Sequence, residues 1–140
     1  MSMVKDGLAK AWADQLQTSS GIASFPHRHD ALTAPPFMVV VVKRLRPLML
    51  AEDVHEAEVR VVVVTDSADS NSARHRQLVG AAYAAIQATP RYATDPVNLV
   101  RLCGFVIEDI EQVSGAGDDG KKIYSDVFMI RAGVAGVAGP

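Results

Sequence analysis

With one cysteine in 140 residues, the chain cannot close an internal disulfide. Cys103 sits in an apolar run, where a lone thiol reads as a small buried hydrophobe and not as a nucleophile. Aromatic residues are scarce, at 6%, so Val, Ala, Ile and Leu must fill the core. Charge of neither sign dominates: the net of -2 lacks the basic excess that phosphate backbones attract, which argues against nucleic acid as the main partner. No apolar run reaches the ~18 residues of a membrane-spanning helix. Lys5, Asp6, Lys10 and Asp14 break up the first residues, which excludes the pattern of a secretion signal. The expectation is a soluble cytoplasmic protein with no membrane partner. Apolar residues at 49% and charged residues at 21% are ordinary for a globular domain, and the length suits one core.

What is present centres on two valine runs, Phe37-Met-Val-Val-Val-Val42 and Val59-Arg-Val-Val-Val-Val64. Both alternating faces of each run are apolar, as in strands covered on both sides by helix, sheet or a neighbouring subunit. Basic Lys43, Arg44 and Arg46 follow the first run, and acidic Glu52, Asp53, Glu56 and Glu58 precede the second. Folding the chain back around residues 48–50 sets the basic end beside the acidic start. Opposite charges facing across a ladder contribute a few tenths to ~1 kcal/mol each, enough to help fix register. Arg60 interrupts the second run and needs a partner, solvent or an interface. At ~3.3 Å per residue the second strand, residues 54–65, extends about 40 Å, roughly twice the common strand length. A small domain cannot cover that span, so residues 43–58 are expected to stand out as a contact arm. Its apolar tip, Leu48, Met49 and Leu50, is the kind of cluster that marks a contact site.

The other elements follow from periodicity. Val4, Leu8, Ala11, Trp12 and Leu16 share one face of a short helix over residues 4–16, with Trp12 as its anchor and Gly7 as a weak point. Residues 18–26 read as a loop. The Ser- and Asp-rich segment 66–72 turns the chain into a second helix that reaches Ala88, burying Leu78, Val79, Ala82, Tyr83, Ala85 and Ile86. Residues 91–98 read as a loop, residues 102–113 as a strand with Cys103, Phe105 and Ile107 on one face, and 114–120 as a wide turn. Residues 122–131 form the last strand. The order α-β-β-α-β-β predicts an α+β domain: a single mostly antiparallel four-stranded sheet with an extended β-hairpin and helices packed on one face. Residues 1–132 form the domain, and residues 133–140 a flexible Gly-rich tail.

Chemistry is sparse. His27-Arg-His29-Asp30 could ligate one metal from an extended segment, yet no second His/Cys cluster supports it, and His55 and His75 are isolated. The alternative is a plain loop ahead of Pro35-Pro36. A metal site there predicts stoichiometric zinc by elemental analysis, lost when His27 and His29 are changed to Ala. Gly115, Gly117, Gly120 and Lys121 mimic a phosphate-binding loop, but the residues that follow have strand character, Lys122 replaces the magnesium-binding hydroxyl, and Asp118 and Asp119 repel phosphate. The turn explains these glycines. Spaced calcium ligands are lacking around Asp118 and Asp119. No paired carboxylates or Ser–His–Asp grouping can be picked out, and no cofactor or catalytic residue is assigned.

The order of elements resembles the tail-terminator (tail-completion) proteins of long-tailed bacteriophages. The likeness rests on the first helix with Trp12 and Leu16, Pro35-Pro36-Phe37 entering the valine strand, the Glu56-Ala-Glu-Val-Arg-Val-Val-Val-Val-Thr65 strand, the 70–88 helix and the closing Tyr124-Ser-Asp-Val-Phe-Met-Ile130 strand. It covers nearly the whole chain as an order and texture of elements. It implies a non-enzymatic virion protein: a homo-oligomeric ring, commonly a hexamer, that ends tail-tube growth and meets the head–tail connector. Its partners would be its own copies, the tube protein, the connector protein, and DNA passing through the lumen without specific binding. Glu108, Asp109, Glu111, Asp118 and Asp119 could line that channel. Subunit or tube contacts are expected at Lys43, Arg44, Arg46, Leu48, Met49, Leu50, Glu56 and Glu58. The alternatives are another neck, connector or minor tail protein, and a small metal- or ligand-binding domain or enzyme using His27, His29 and Asp30.

Overall fold

The computed structural model describes residues 2–26, 36–49, 54–66, 72–95, 97–98, 100–116 and 122–136. In chain order the elements are α1 (Ser2–Ser20), β1 (Ser24–Phe25), β2 (Phe37–Met49), β3 (Val54–Asp66), α2 (Ser72–Ala88), β4 (Tyr92–Asp95), β5 (Val100–Ala116) and β6 (Lys122–Gly136). The strands form one curled, half-barrel sheet in the order β1-β2-β3-β6-β5-β4. Only the β1–β2 pair is parallel; the others are antiparallel. Among the described residues the sheet has six strands, not the expected four; it is mostly antiparallel as expected, with one parallel pair, and the α+β class stands.

The two missed strands have a common cause. Two residues, Ser24 and Phe25, are too few to show an alternation, and they are held by the parallel register to Met38 and Val39. β4 is an exposed edge strand with no buried alternate face, so nothing in its composition marks it. Its turn into β5 is made by Asp95, whose carboxylate accepts the Val97 and Asn98 backbone N–H groups at 3.0 and 3.1 Å and the Asn98 amide at 2.8 Å. Partial burial raises the Asp95 pKa, but the hydrogen bonds from Asn98 and Val97 outweigh it and hold the carboxyl below its ordinary value.

β3 sets the core. His55, Ala57, Val59, Val61, Val63 and Thr65 are all buried, and the residues between them only half so. Its inner face lies between the inner faces of β2 (Met38, Val40, Val42) and β6 (Phe128, Ile130, Ala132, Val134), and both helices pack on this one cluster. Burying a Val or Leu of this kind stabilises by about 1.5–3 kcal/mol. Trp12 anchors α1 as expected, buried and edge-on to Phe105 at 5.1 Å, with the Arg91 guanidinium 4.5 Å from the other ring's centroid. α1 runs beyond its apolar stripe, and there the Thr18 and Ser20 hydroxyls donate to the Asp14 and Leu16 carbonyls. It stops at Gly21, whose φ of 75° is left-handed.

Three further expectations change. β6 continues to Gly136, so residues 133–136, expected in the tail, are strand; residues 137–140 lie outside the described residues. This extension pairs Glu56, His55 and Val54 with Gly133, Val134 and Ala135. The arm is thus flanked by sheet on its β6 side and does not stand clear of the body. Second, Gly104 (φ 96°) makes a bulge that shifts β5 between Leu102 and Phe105. Leu102 and Phe105 consequently share the inner face, while Cys103 is half-buried on the other side and is no core residue. Third, Tyr83 on α2 is exposed and His75 takes a buried place on that helix. Gly80 faces solvent and gives no close approach to the sheet. Among the described residues, no helix is long and apolar enough to cross a membrane.

Gly7 is the close approach. A Cβ there would run into the Asn98 carbonyl oxygen and lie 3.1 Å from Val100, whereas a Cβ at Gly80 would meet nothing within 4 Å among the described residues. Gly7→Ala should therefore destabilise the protein by roughly 1–3 kcal/mol despite alanine's better helix propensity. Gly80→Ala should stabilise it by about 0.5–1 kcal/mol. Urea unfolding of the two variants checks the opposite signs.

Candidate functional site

The charged half of the β2–β3 hairpin is built by a register shift. Between Val42 and Arg44 the pairing slips by one residue, leaving Lys43 as the extra residue of a bulge. Arg44 then pairs with Glu58 and Arg46 with Glu56, the facing of opposite charges expected from the sequence. The contacts are loose: Arg44 Nε lies 3.9 Å from Glu58 Oε2 and Arg46 Nη2 4.0 Å from Glu56 Oε1, with the arginine side chains 79% and 70% exposed. Exposed pairs of this length contribute about 0–1 kcal/mol. They leave most of each guanidinium in water.

The charge pattern continues across the convex side. Arg60, which needed a partner, meets Glu58 Oε1 at 3.5 Å, though its buried Nε has no hydrogen bond among the described residues. Arg131, opposite Glu58 on β6, reaches Glu108 of β5 at 3.3 Å. Arg44, Arg46, Glu56, Glu58, Glu108 and Arg131 line a shallow cleft of about 180 Å³. Beside it, Val39, Val41, Val62, Val64, Val127 and Met129 form an apolar stretch of the same side, mostly half-buried, with no helix over it among the described residues. Inside the sheet, the expected cover is supplied by the two helices. At the tip Leu48 is half exposed, an extra residue at a second register shift, and Met49 pairs with Val54. Leu50 lies outside the described residues.

His27, His29 and Asp30 also lie outside the described residues, as do Asp118 and Asp119. Among the described residues no group of three His, Cys, Asp or Glu side chains is arranged to hold a metal. After the glycine-rich segment the described chain enters β6, a strand, where a phosphate-binding loop requires a helix. Glu108, Asp109 and Glu111 stand exposed along β5.

His75 is not isolated. Its Nδ1 lies 2.7 Å from Thr65 Oγ1 and its Nε2 2.7 Å from Asp126 Oδ1, with Tyr124 tilted against the ring at 5.6 Å. A neutral ring satisfies both contacts when the Thr65 hydroxyl donates to Nδ1 and Nε2–H donates to the Asp126 carboxylate. The order hydroxyl–imidazole–carboxylate is that of a nucleophilic triad, but a nucleophile must be open to its substrate. Thr65 and His75 are buried. The relay instead ties the first turn of α2 to β3 and β6. The one signal in the sequence was Asp126 on the core-facing parity of β6 with Phe128 and Ile130, since a carboxylate there must be paired.

Three comparisons with known proteins bear on the chain. No protein-family model matches it, and no curated protein does. Among solved structures it matches a chain from the "Virion of native gene transfer agent (GTA) particle", with a TM-score of 0.61 and 17% identity over 95% of this chain and 98% of that one. At that identity the likeness is one of fold.

If the relay is a tie, His75→Ala should lower stability by about 2–4 kcal/mol, because it strands two polar groups in the interior. Thermal unfolding measures the loss, and far-UV circular dichroism at low temperature should stay unchanged.

Proposed function

We propose that this chain is a structural, non-enzymatic component of a phage-like virion, and within it a tail terminator. One observation carries the reading: the fold match to a virion chain is nearly complete in both directions. A whole subunit, and not a shared fragment, therefore corresponds. The resemblance in element order, described above, supplies the finer role. In that role the protein forms a homo-oligomeric ring of six copies on the end of the tail tube, stops further tube growth and offers its far face to the head–tail connector. It would act in the virion, after assembly in the host cytoplasm.

A role of this kind needs surfaces and no chemistry. Residues 43–58 supply one, with Lys43, Arg44, Arg46, Glu56 and Glu58 exposed or half exposed and Leu48 at the tip. We assign this hairpin, with Met49 and Leu50, to contact with a neighbouring subunit or the tube. The buried state of the His75 relay speaks for structure over catalysis. Another neck or connector role has the same support from the fold match and differs only in which particle surface the ring binds.

Electron microscopy of the purified protein should show rings, and tube protein polymerised in its presence should give tubes capped at one end. Rings that bind connector but leave tube growth untouched would move the protein to the neck. Deleting residues 48–50 should leave the melting temperature within a few degrees of the parent while abolishing capping. Intact capping would make the tip a simple turn.

A further inference from the structure

Among the described residues the sheet has two open edges, and they carry opposite charge. β1 pairs only with Met38 and Val39, so residues 40–49 of β2 have no strand beside them among the described residues. At the far side β4 pairs with residues 100–103 of β5, which leaves residues 105–116 without a strand beside them among the described residues. An open strand displays main-chain N–H and C=O groups that can pair with another strand. Lys43, Arg44 and Arg46 lie along the first edge and Glu108, Asp109 and Glu111 along the second, all exposed. By register Arg44, Arg46, Asp109 and Glu111 all stand on the convex side, opposite Glu58, Glu56, Met129 and Val127.

Charge and bulges on an edge strand have a simpler use, which is to keep other strands away. The bulges at Lys43 and Glu108 fit that use. Protection requires charge, but it does not require the two edges to differ in sign. Uniform sign on each edge penalises contact between like edges, while opposite signs favour contact between unlike ones.

Strand direction agrees. β3 is antiparallel to β2, β6 to β3 and β5 to β6, so β5 runs antiparallel to β2 within a chain. A second copy brought up by rotation about a common axis would thus offer its β2 to β5 in antiparallel sense. Level placement fails, because Arg44 and Val106 share a row and the end of β2 would run into β4. Sliding the strands by four rows clears β4 and leaves only the last two residues of β5, Gly115 and Ala116, level with β1. That register sets Arg44 near Glu111 and Arg46 near Asp109. Strands of closed sheets tilt against the ring axis by about 35–45°, so a slid register is compatible with closure.

We propose that the open edge of β2 in one copy binds the open edge of β5 in a second copy, head to tail, with Lys43, Arg44 and Arg46 facing Glu108, Asp109 and Glu111. This rests on the assembly reading above and specifies its subunit contact. Unlike edges meeting in this way form a heterologous interface, which closes into a ring when the rotation allows.

Charge reversal tests it. K43E/R44E/R46E and D109K/E111K should each associate on the order of a hundredfold more weakly than the parent by sedimentation, since each sets like charges against each other. An equimolar mixture of the two variants should associate again, because each then presents the edge the other has lost. A chain carrying both sets of changes should also associate. Recovery on mixing cannot come from misfolded variants. If either reversed variant associates as tightly as the parent, or the mixture does not recover, the edge pairing is wrong while the assembly reading stands. A parent that stays monomeric alone and on tube ends overturns both.

Discussion

The register of β3 between β2 and β6 is the constraint on which the rest of the molecule depends. Side chains alternate along a strand, so a slip of one residue would carry Val59, Val61 and Val63 from the core to the outer side. It would also separate Thr65 from His75 and move Glu56 and Glu58 off Arg46 and Arg44. Apolar burial on the inner face fixes the register with several side chains acting together, each at about 1.5–3 kcal/mol. The exposed ion pairs on the outer side, at about 0–1 kcal/mol each, are too weak to decide it. They follow the register more than they impose it.

This ranking explains why the outer side is available for contact. The inner side is closed by two helices and one continuous cluster. The convex side carries a half-buried valine stretch and loose arginine–glutamate pairs, and loss of those pairs would cost the fold little. The short end strands β1 and β4 cover only the first part of β2 and of β5. Among the described residues, long lengths of main chain at both edges of the sheet therefore have no strand beside them. A protein that works by assembly can carry such edges when their charges restrict which edges meet.

The buried Thr65–His75–Asp126 relay shows how a chemical constellation can serve structure. Its distances, 2.7 Å on both sides of the ring, would suit general-base chemistry, yet burial removes the substrate from the picture. What remains is a directional tie between a helix and two strands. Burial makes such a network costly to break, because each member loses solvent as well as partner.

The sequence by itself determined the elements with strong periods. The Val59–Val64 run, the Trp12 helix, the 72–88 helix and the opposed charges of Arg44, Arg46, Glu56 and Glu58 were all legible, because burial and pairing of these residues follow from neighbours a few positions away. The tertiary structure decided the rest, each time through a distant partner. Ser24 and Phe25 are a strand only because Met38 and Val39 lie alongside. Residues 133–136 are strand only because residues 54–56 and the 100–102 stretch flank them. Gly104 reverses the faces of β5 through one left-handed φ that no period reveals. The relay spans Thr65, His75 and Asp126, residues brought together from separate elements, and the residues that would test the 27–30 segment lie outside the described chain. Local pattern carries what depends on local burial, whereas edges, bulges and long-range polar pairs exist only once the sheet has closed around them.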